Sequence, residues 1–116
     1  MVTKGRVLVV DDEVRIRQIY RRWLVGAGYD VIEAGSGSEA IQALFAESQI
    51  QLVLTDRVMP SGSGEELVRV VKATWPAIPV VVVTGYGDDL KTSVPVVEKP
   101  VNGKMLLAVV ERTLAG

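Results

Sequence analysis

The sequence predicts an α/β domain built on a five-stranded parallel sheet that helices cover on both faces, a doubly wound arrangement. Two observations predict it. Short, nearly uninterrupted apolar runs, such as "VLVV" at 7–10 and "VVVV" at 80–83, alternate along the chain with longer stretches in which apolar residues recur at helical spacing. Each change of pattern falls at a cap or turn residue, which is the βαβα rhythm of a parallel sheet. A length of 116 residues with 48% apolar content suits one domain, 1–116, whose core needs no disulfide or metal staple.

The first strand is read at Arg6–Val10. Glu13–Ala27 follows as a helix, with Val14, Ile16, Ile19, Tyr20, Trp23 and Leu24 on its apolar face and Gly28 as its stop signal. Asp30–Ala34 is a short second strand. Ser36 with Glu39 forms the pattern of a capping box for a helix through Ala46, which turns Ala40, Ile41, Ala43 and Leu44 inward. Leu52–Thr55 is the third strand; the loop "DRVMPSGSG" leads to a second capping box, Ser63 with Glu66, and a helix through Thr74. Pro76 and Pro79 bracket the next turn. Val80–Thr84 is the fourth strand, and "GYGDDLKTS" after it holds one or two helical turns at most. Val94–Glu98 is the fifth strand, and Asn102 caps a last helix through Ala115. The crossovers between parallel strands are expected to be right-handed.

Composition removes several function classes. Lys and Arg number 13 against 14 Asp and Glu, a formal net charge of -1, with no basic arm that would point to nucleic acid or a membrane surface. The absence of cysteine excludes thiolate metal sites and cysteine nucleophiles and suits a reducing, cytoplasmic setting. The absence of histidine excludes a Ser-His-Asp triad, imidazole metal ligands and any role as a phosphohistidine donor. The apolar run near the N-terminus stops at Asp11 and Asp12, too soon for a signal peptide or a membrane span.

In an open α/β sheet, ligands bind outside the carboxyl ends of the strands. The polar residues of this chain collect there: Asp11 and Asp12 after the first strand, Asp56 after the third, Thr84 after the fourth and Lys99 after the fifth. Two adjacent carboxylates repel each other and call for a cation. Three carboxylates without imidazole or thiolate suit a hard divalent ion, Mg²⁺, and a lysine nearby completes the charge balance. Singly, each residue has an ordinary role as a cap, a strand-end hydroxyl or a solvated ammonium. Their joint placement at successive strand ends is what argues for a site.

The segments "VLVVDDE", "LTDRVMPSGSG" with its Asp-x-x-Met-Pro-x-x-x-Gly spacing, "VVVVTGYG" and "VEKP" stand in the order found in the receiver domains of two-component response regulators. From about Arg6 to Leu114 the chain resembles a CheY-like receiver, of the stand-alone or hybrid-kinase type. The resemblance implies a flavodoxin-like strand order of 2-1-3-4-5. It makes Asp56 the phosphoacceptor, and Asp12, Asp11, Asp56 and the backbone carbonyl of Val58 the ligands of Mg²⁺. Thr84 becomes the switch hydroxyl that follows the phosphoryl group, Lys99 the holder of a phosphoryl oxygen, and Lys99–Pro100 a cis peptide. The implied activity is acceptance of a phosphoryl group from the phosphohistidine of a sensor histidine kinase or histidine phosphotransfer protein, with slow self-dephosphorylation. Such a domain is a signalling switch rather than an enzyme, and a homodimer is among its expected forms.

The chain departs from that family in three places. Val96 stands where an aromatic residue usually precedes the conserved lysine. Lys99 follows Thr84 by only 15 residues, shorter than usual by roughly two helical turns, so the fourth helix is expected to be shortened or missing. Val58 and Tyr86, two residues after Asp56 and Thr84, flank the approach of water to the phosphoryl group, which predicts a long-lived phosphorylated state.

Three other readings are weaker. A phosphatase of the haloacid dehalogenase type needs an acid where Val58 stands and a cap domain for which there is no room. A flavodoxin-like cofactor binder needs a Gly-rich or Ser/Thr-rich loop after the first strand, where acids stand instead. A module used only for docking would not need Asp12, Asp56, Thr84 and Lys99 together. With "ERTLAG" closing the last helix, no output domain is expected within these residues.

Overall fold

The structure is a computed structural model that describes residues 3–47, 49–59, 62–84, 95–98 and 101–116, with the backbone alone at 58, 59, 62, 63 and 98. Its strands are β1 (Arg6–Val10), β2 (Asp30–Ala34), β3 (Ile50–Asp56), β4 (Val58–Met59), β5 (Gly62–Ser63), β6 (Val80–Thr84) and β7 (Val96–Glu98). Its helices are α1 (Val14–Gly26), α2 (Gly37–Ala46), α3 (Gly64–Thr74) and α4 (Gly103–Ala115). Five strands form one parallel sheet in the order β2-β1-β3-β6-β7, which is the expected 2-1-3-4-5.

Side chains of a strand alternate between faces, so a strand buried on both sides must be apolar at every position. Val7 and Val9 of β1, Leu52 and Leu54 of β3 and Val81 and Val83 of β6 meet Tyr20 and Leu24 of α1 and Leu106 and Val110 of α4. Leu8, Val10, Val53, Val80 and Val82 meet Ala40 and Leu44 of α2 and Leu67, Val68 and Val71 of α3 on the other face. Burying each such Val or Leu contributes on the order of 1.5–3 kcal/mol, and these two layers hold the sheet in place.

The third strand begins two residues earlier than its apolar pattern suggested. Arg6 pairs with Ile50 but Val7 with Leu52, so Gln51 is an extra residue in the ladder. Its Oε1 accepts from the Arg6 N–H at 3.2 Å, a side-chain acceptor at the point where the register shifts. Residues 58–63, expected as loop, include the two-stranded antiparallel ladder of β4 and β5.

The caps behave as their residue types demand. The end of α1 is a Schellman motif: Tyr29 N–H donates to Leu24 O and Gly28 N–H to Val25 O, both at 3.0 Å, and Gly28 takes a φ of 101° that side chains disfavour. At α2, Ser36 accepts from the Glu39 N–H at 3.1 Å, but Glu39 reaches back to the Gly35 N–H at 3.2 Å, one residue earlier than a capping box requires. Asn102 caps α4 by accepting from the Met105 N–H at 2.8 Å. Ser63 lies in β5, one residue before α3, and its side chain is outside the described residues.

The apolar stripe of α1 is narrower than its sequence suggests. Tyr20 and Leu24 are buried, Ile16 and Trp23 partly so, but Val14 and Ile19 are 52% and 40% exposed, because α1 rests on the sheet along one side only. Among the described residues four helices cover the sheet, in keeping with a shortened fourth connection. Only residues 85–95 separate β6 from β7, near the lower limit for a parallel crossover that carries a helix. The segment "GYGDDLKTS" lies outside the described residues.

Candidate functional site

The parallel sheet brings its carboxyl ends to one rim, and the polar residues follow. Asp11 leaves β1 while its N–H still donates to Ala34 O of β2 at 3.1 Å. Its Oδ1 accepts from the Glu13 N–H at 2.9 Å, an Asx turn that swings the chain into α1. Asp11 is therefore buried, 2% exposed, while Asp12 at the tip of the turn is exposed. Asp56 ends β3 opposite Val83, so Thr84, also 2% exposed, stands one residue beyond it on the adjacent strand.

One carboxylate oxygen from each of Asp11, Asp12 and Asp56 lies within 4.8 Å of the others. This donor set is all carboxylate, which fits a hard cation such as Mg²⁺ that takes one or two carboxylates and completes its shell with water. The concentrated charge reaches a neighbour that the sequence reading treated only as core. Tyr20 of α1 is 5% exposed, and its phenol pKa is pushed from 10.0 to about 12, first by burial and then by the charges of Asp11, Asp56 and Glu13. Its position on the apolar face of α1 was legible; its proximity to the acids was not.

Asp56 is aimed by its backbone surroundings. Its Oδ1 accepts from the Arg57 N–H at 2.9 Å, and that N–H is shared with Val83 O at 2.9 Å. The Thr55 hydroxyl donates to Asp56 O at 3.0 Å. Gly64, the glycine of the Asp-x-x-Met-Pro-x-x-x-Gly spacing, now has a physical reason. Its N–H donates to Arg57 O at 2.6 Å, and a Cβ there would overlap the Asp56 carbonyl oxygen and lie 3.0 Å from Arg57 Cα. Only a residue without a side chain lets the start of α3 close on the corner that carries Asp56. Arg57 Nε pairs with Glu65 of α3 at 2.8 Å and ties the same corner.

The structure thus brings Asp11, Asp12 and Asp56 together and sets Thr84 on the neighbouring strand end. Val58 lies in β4 with only its backbone described. Lys99, the Lys99–Pro100 peptide and Tyr86 lie outside the described residues. Val96 is partly buried in β7 opposite Val82. Among the described residues, no helix is long and apolar enough to cross a membrane.

Comparison with known proteins places this geometry. The chain is similar to the transcriptional regulatory protein ResD of Bacillus subtilis, 38% identical over 84 residues that cover 72% of this chain and 34% of ResD. It is equally similar to the sensor kinase CckA of Brucella abortus, 38% identical over 84 residues, again 72% of this chain but 9% of CckA. This chain therefore spans only a minor part of these curated relatives. Among solved structures, a CheY-like response regulator receiver domain protein from Methanospirillum hungatei superposes with a TM-score of 0.87 at 29% identity, covering 96% of this chain and 94% of that one. The family model described as the response regulator receiver domain matches residues 7–111. That match runs from the first strand into the last helix and takes in the whole acidic rim: the chain belongs to the response regulator receiver domains.

Proposed function

We propose that this receiver domain is a phosphorylation switch in which Asp56 accepts a phosphoryl group from the phosphohistidine of a sensor histidine kinase or histidine phosphotransfer protein. The observation that carries this reading is the meeting of Asp11, Asp12 and Asp56 at the carboxyl rim of the sheet. A carboxylate oxygen of Asp56 bonds to phosphorus as the bond from phosphorus to the donor's imidazole nitrogen breaks, and the electron pair leaves on that nitrogen. The product is an acyl phosphate. Water later attacks phosphorus, releasing phosphate and restoring the carboxylate.

The chain's own groups prepare that step. The Arg57 N–H holds Asp56 Oδ1 and so fixes the rotation of the carboxylate. Asp11, Asp12, Asp56 and the Val58 carbonyl would hold Mg²⁺, which when bound supplies positive charge to phosphoryl oxygens. Thr84 and Lys99 are proposed to take up the remaining oxygens. Because these groups satisfy the new charge in only one arrangement, phosphorylation shifts the rim loops and the surface behind them toward that arrangement.

The domain in this reading works in the cytoplasm without direct contact to nucleic acid or membrane, and a homodimer is one form its output can take. It turns over no separate substrate beyond its own phosphorylation and dephosphorylation. The test is incubation with Mg²⁺ and a small phosphodonor, followed by intact mass. The chain gains one phosphoryl group and Asp56→Asn gains none; an equal gain in the variant would overturn the assignment of Asp56.

A further inference from the structure

Side chains of a helix lean back toward its N-terminus, so Arg17, one turn into α1, overhangs the turn that carries Asp11 and Asp12. Its Nη1 donates to the backbone carbonyl oxygen of Asp11 at 2.6 Å. Its Nε donates to Glu33 Oε1 at 3.2 Å. Glu33 stands on β2 opposite Val9, and its second oxygen accepts from Arg21 Nη1 at 3.0 Å. Two arginines from successive turns of α1 thus grip one carboxylate of the sheet. The side chains of Arg17 and Glu33 are only 16% and 25% exposed, so this pair is better shielded than an ordinary surface ion pair.

The carbonyl that Arg17 holds belongs to the peptide joining Asp11 to Asp12. The orientation of that peptide sets the directions in which both carboxylates leave the backbone, and their mutual repulsion works to turn them apart. We propose that Arg17 is a positioning residue for the metal centre. Anchored on Glu33 of β2, it clamps the Asp11–Asp12 peptide so that the two carboxylates stay arranged for a divalent cation before one arrives. The inference rests on the metal-dependent reading above and adds to it the group that aims the ligands. A planar guanidinium suits the task because it reaches the carbonyl and Glu33 at once through nitrogens held in fixed geometry, which a lysine ammonium does not.

Arg17 also carries charge, and losing a cation beside the acids would by itself favour metal binding. Removing Arg17 and Glu33 together leaves the net charge unchanged and isolates the clamp. The experiment is calorimetric titration of the whole chain with Mg²⁺ alone, with urea unfolding of the metal-free form measured in parallel. In Arg17→Gln/Glu33→Gln the Mg²⁺ dissociation constant rises about tenfold, the usual scale for losing a partner that orients a ligand. In Arg22→Gln, which changes an exposed α1 arginine, it stays at the parent value. A parent-like dissociation constant in the double variant overturns the proposal, including where its urea midpoint has fallen, since a merely structural role moves only the midpoint. If the double variant does not fold, Arg17→Lys decides: weaker Mg²⁺ binding at unchanged charge supports the clamp, and parent-like binding overturns it. No Mg²⁺ binding by the parent would instead refute the metal-dependent reading on which the proposal rests.

Discussion

Adding one methyl group at Gly64 tests how tightly α3 closes on the corner that carries Asp56. The new Cβ of Gly64→Ala would overlap the Asp56 carbonyl oxygen and come within 3.2 Å of the Asp56 carbonyl carbon. Backbone cannot rotate aside as a flexible side chain can, so the start of α3 must move outward. Overpacking of this kind costs about 1–3 kcal/mol. The hydrogen bond from Gly64 N–H to Arg57 O, at 2.6 Å, is stretched as well and contributes about 1 kcal/mol. Alanine's better helix propensity returns up to about 1 kcal/mol, which leaves a net loss of roughly 1–3 kcal/mol. Gly26→Ala is the matched control. It lies at the end of α1, its added Cβ meets nothing within 4 Å and its φ is not positive, so the same substitution stabilises by about 0.5–1 kcal/mol. Urea unfolding of the two variants at unchanged m-value gives shifts of opposite sign. Gly64→Ala is also phosphorylated more slowly, because Asp56 moves with its carbonyl. A Gly64→Ala midpoint equal to the parent's, or shifted upward like that of Gly26→Ala, would refute the close approach.

Three further outcomes follow from other parts of the molecule. The Tyr20 phenol is held neutral by burial and by the charges of Asp11, Asp56 and Glu13, with its pKa at about 12 against 10.0 for the free side chain. An acid whose folded pKa is raised stabilises fully below the unfolded value and loses that contribution as pH rises, so stability declines between pH 10 and about 12 by at most about 3 kcal/mol. Comparing urea midpoints of the parent and Tyr20→Phe across that range isolates Tyr20 from Tyr29, whose pKa is also raised, by burial and then by Glu111; equally steep decline in both proteins would sink the idea. Asn102→Ala removes the cap of α4 and costs about 1 kcal/mol, read as a lower melting temperature that Asn102→Asp restores. Val58→Asn combined with Tyr86→Ala loses its phosphate faster than the parent in a time course by intact mass, and an unchanged lifetime refutes the shielding role of the pair.

Much of the fold was legible because its signals are local. Unbroken apolar runs in the strands, period 3.6 in the helices, the glycine stop of α1 and the caps at Ser36 and Asn102 each act within a few residues, so the pattern alone placed them. The site was legible for a related reason. In a parallel sheet the strand ends share a rim, so acids that follow apolar runs must converge there, as Asp11, Asp12 and Asp56 do.

What pattern could not supply is distance between segments far apart in the chain. The spacing marked Gly64 without saying that the Asp56 carbonyl lies against it. Tyr20 reads as one more apolar position of α1 until packing sets it in the field of the acids. Val14 and Ile19 fit the helical stripe yet stay exposed, because the width of the buried stripe depends on how α1 sits on the sheet. The Gln51 bulge appears only when β3 is paired with β1. Arg17 is one arginine among several on α1 until β2 brings Glu33 beneath it and the turn brings the Asp11 carbonyl within reach. Residue chemistry and periodicity are properties of neighbours in sequence; the aim of a carboxylate and the charge around it come from segments that meet only when the helices dock on the sheet.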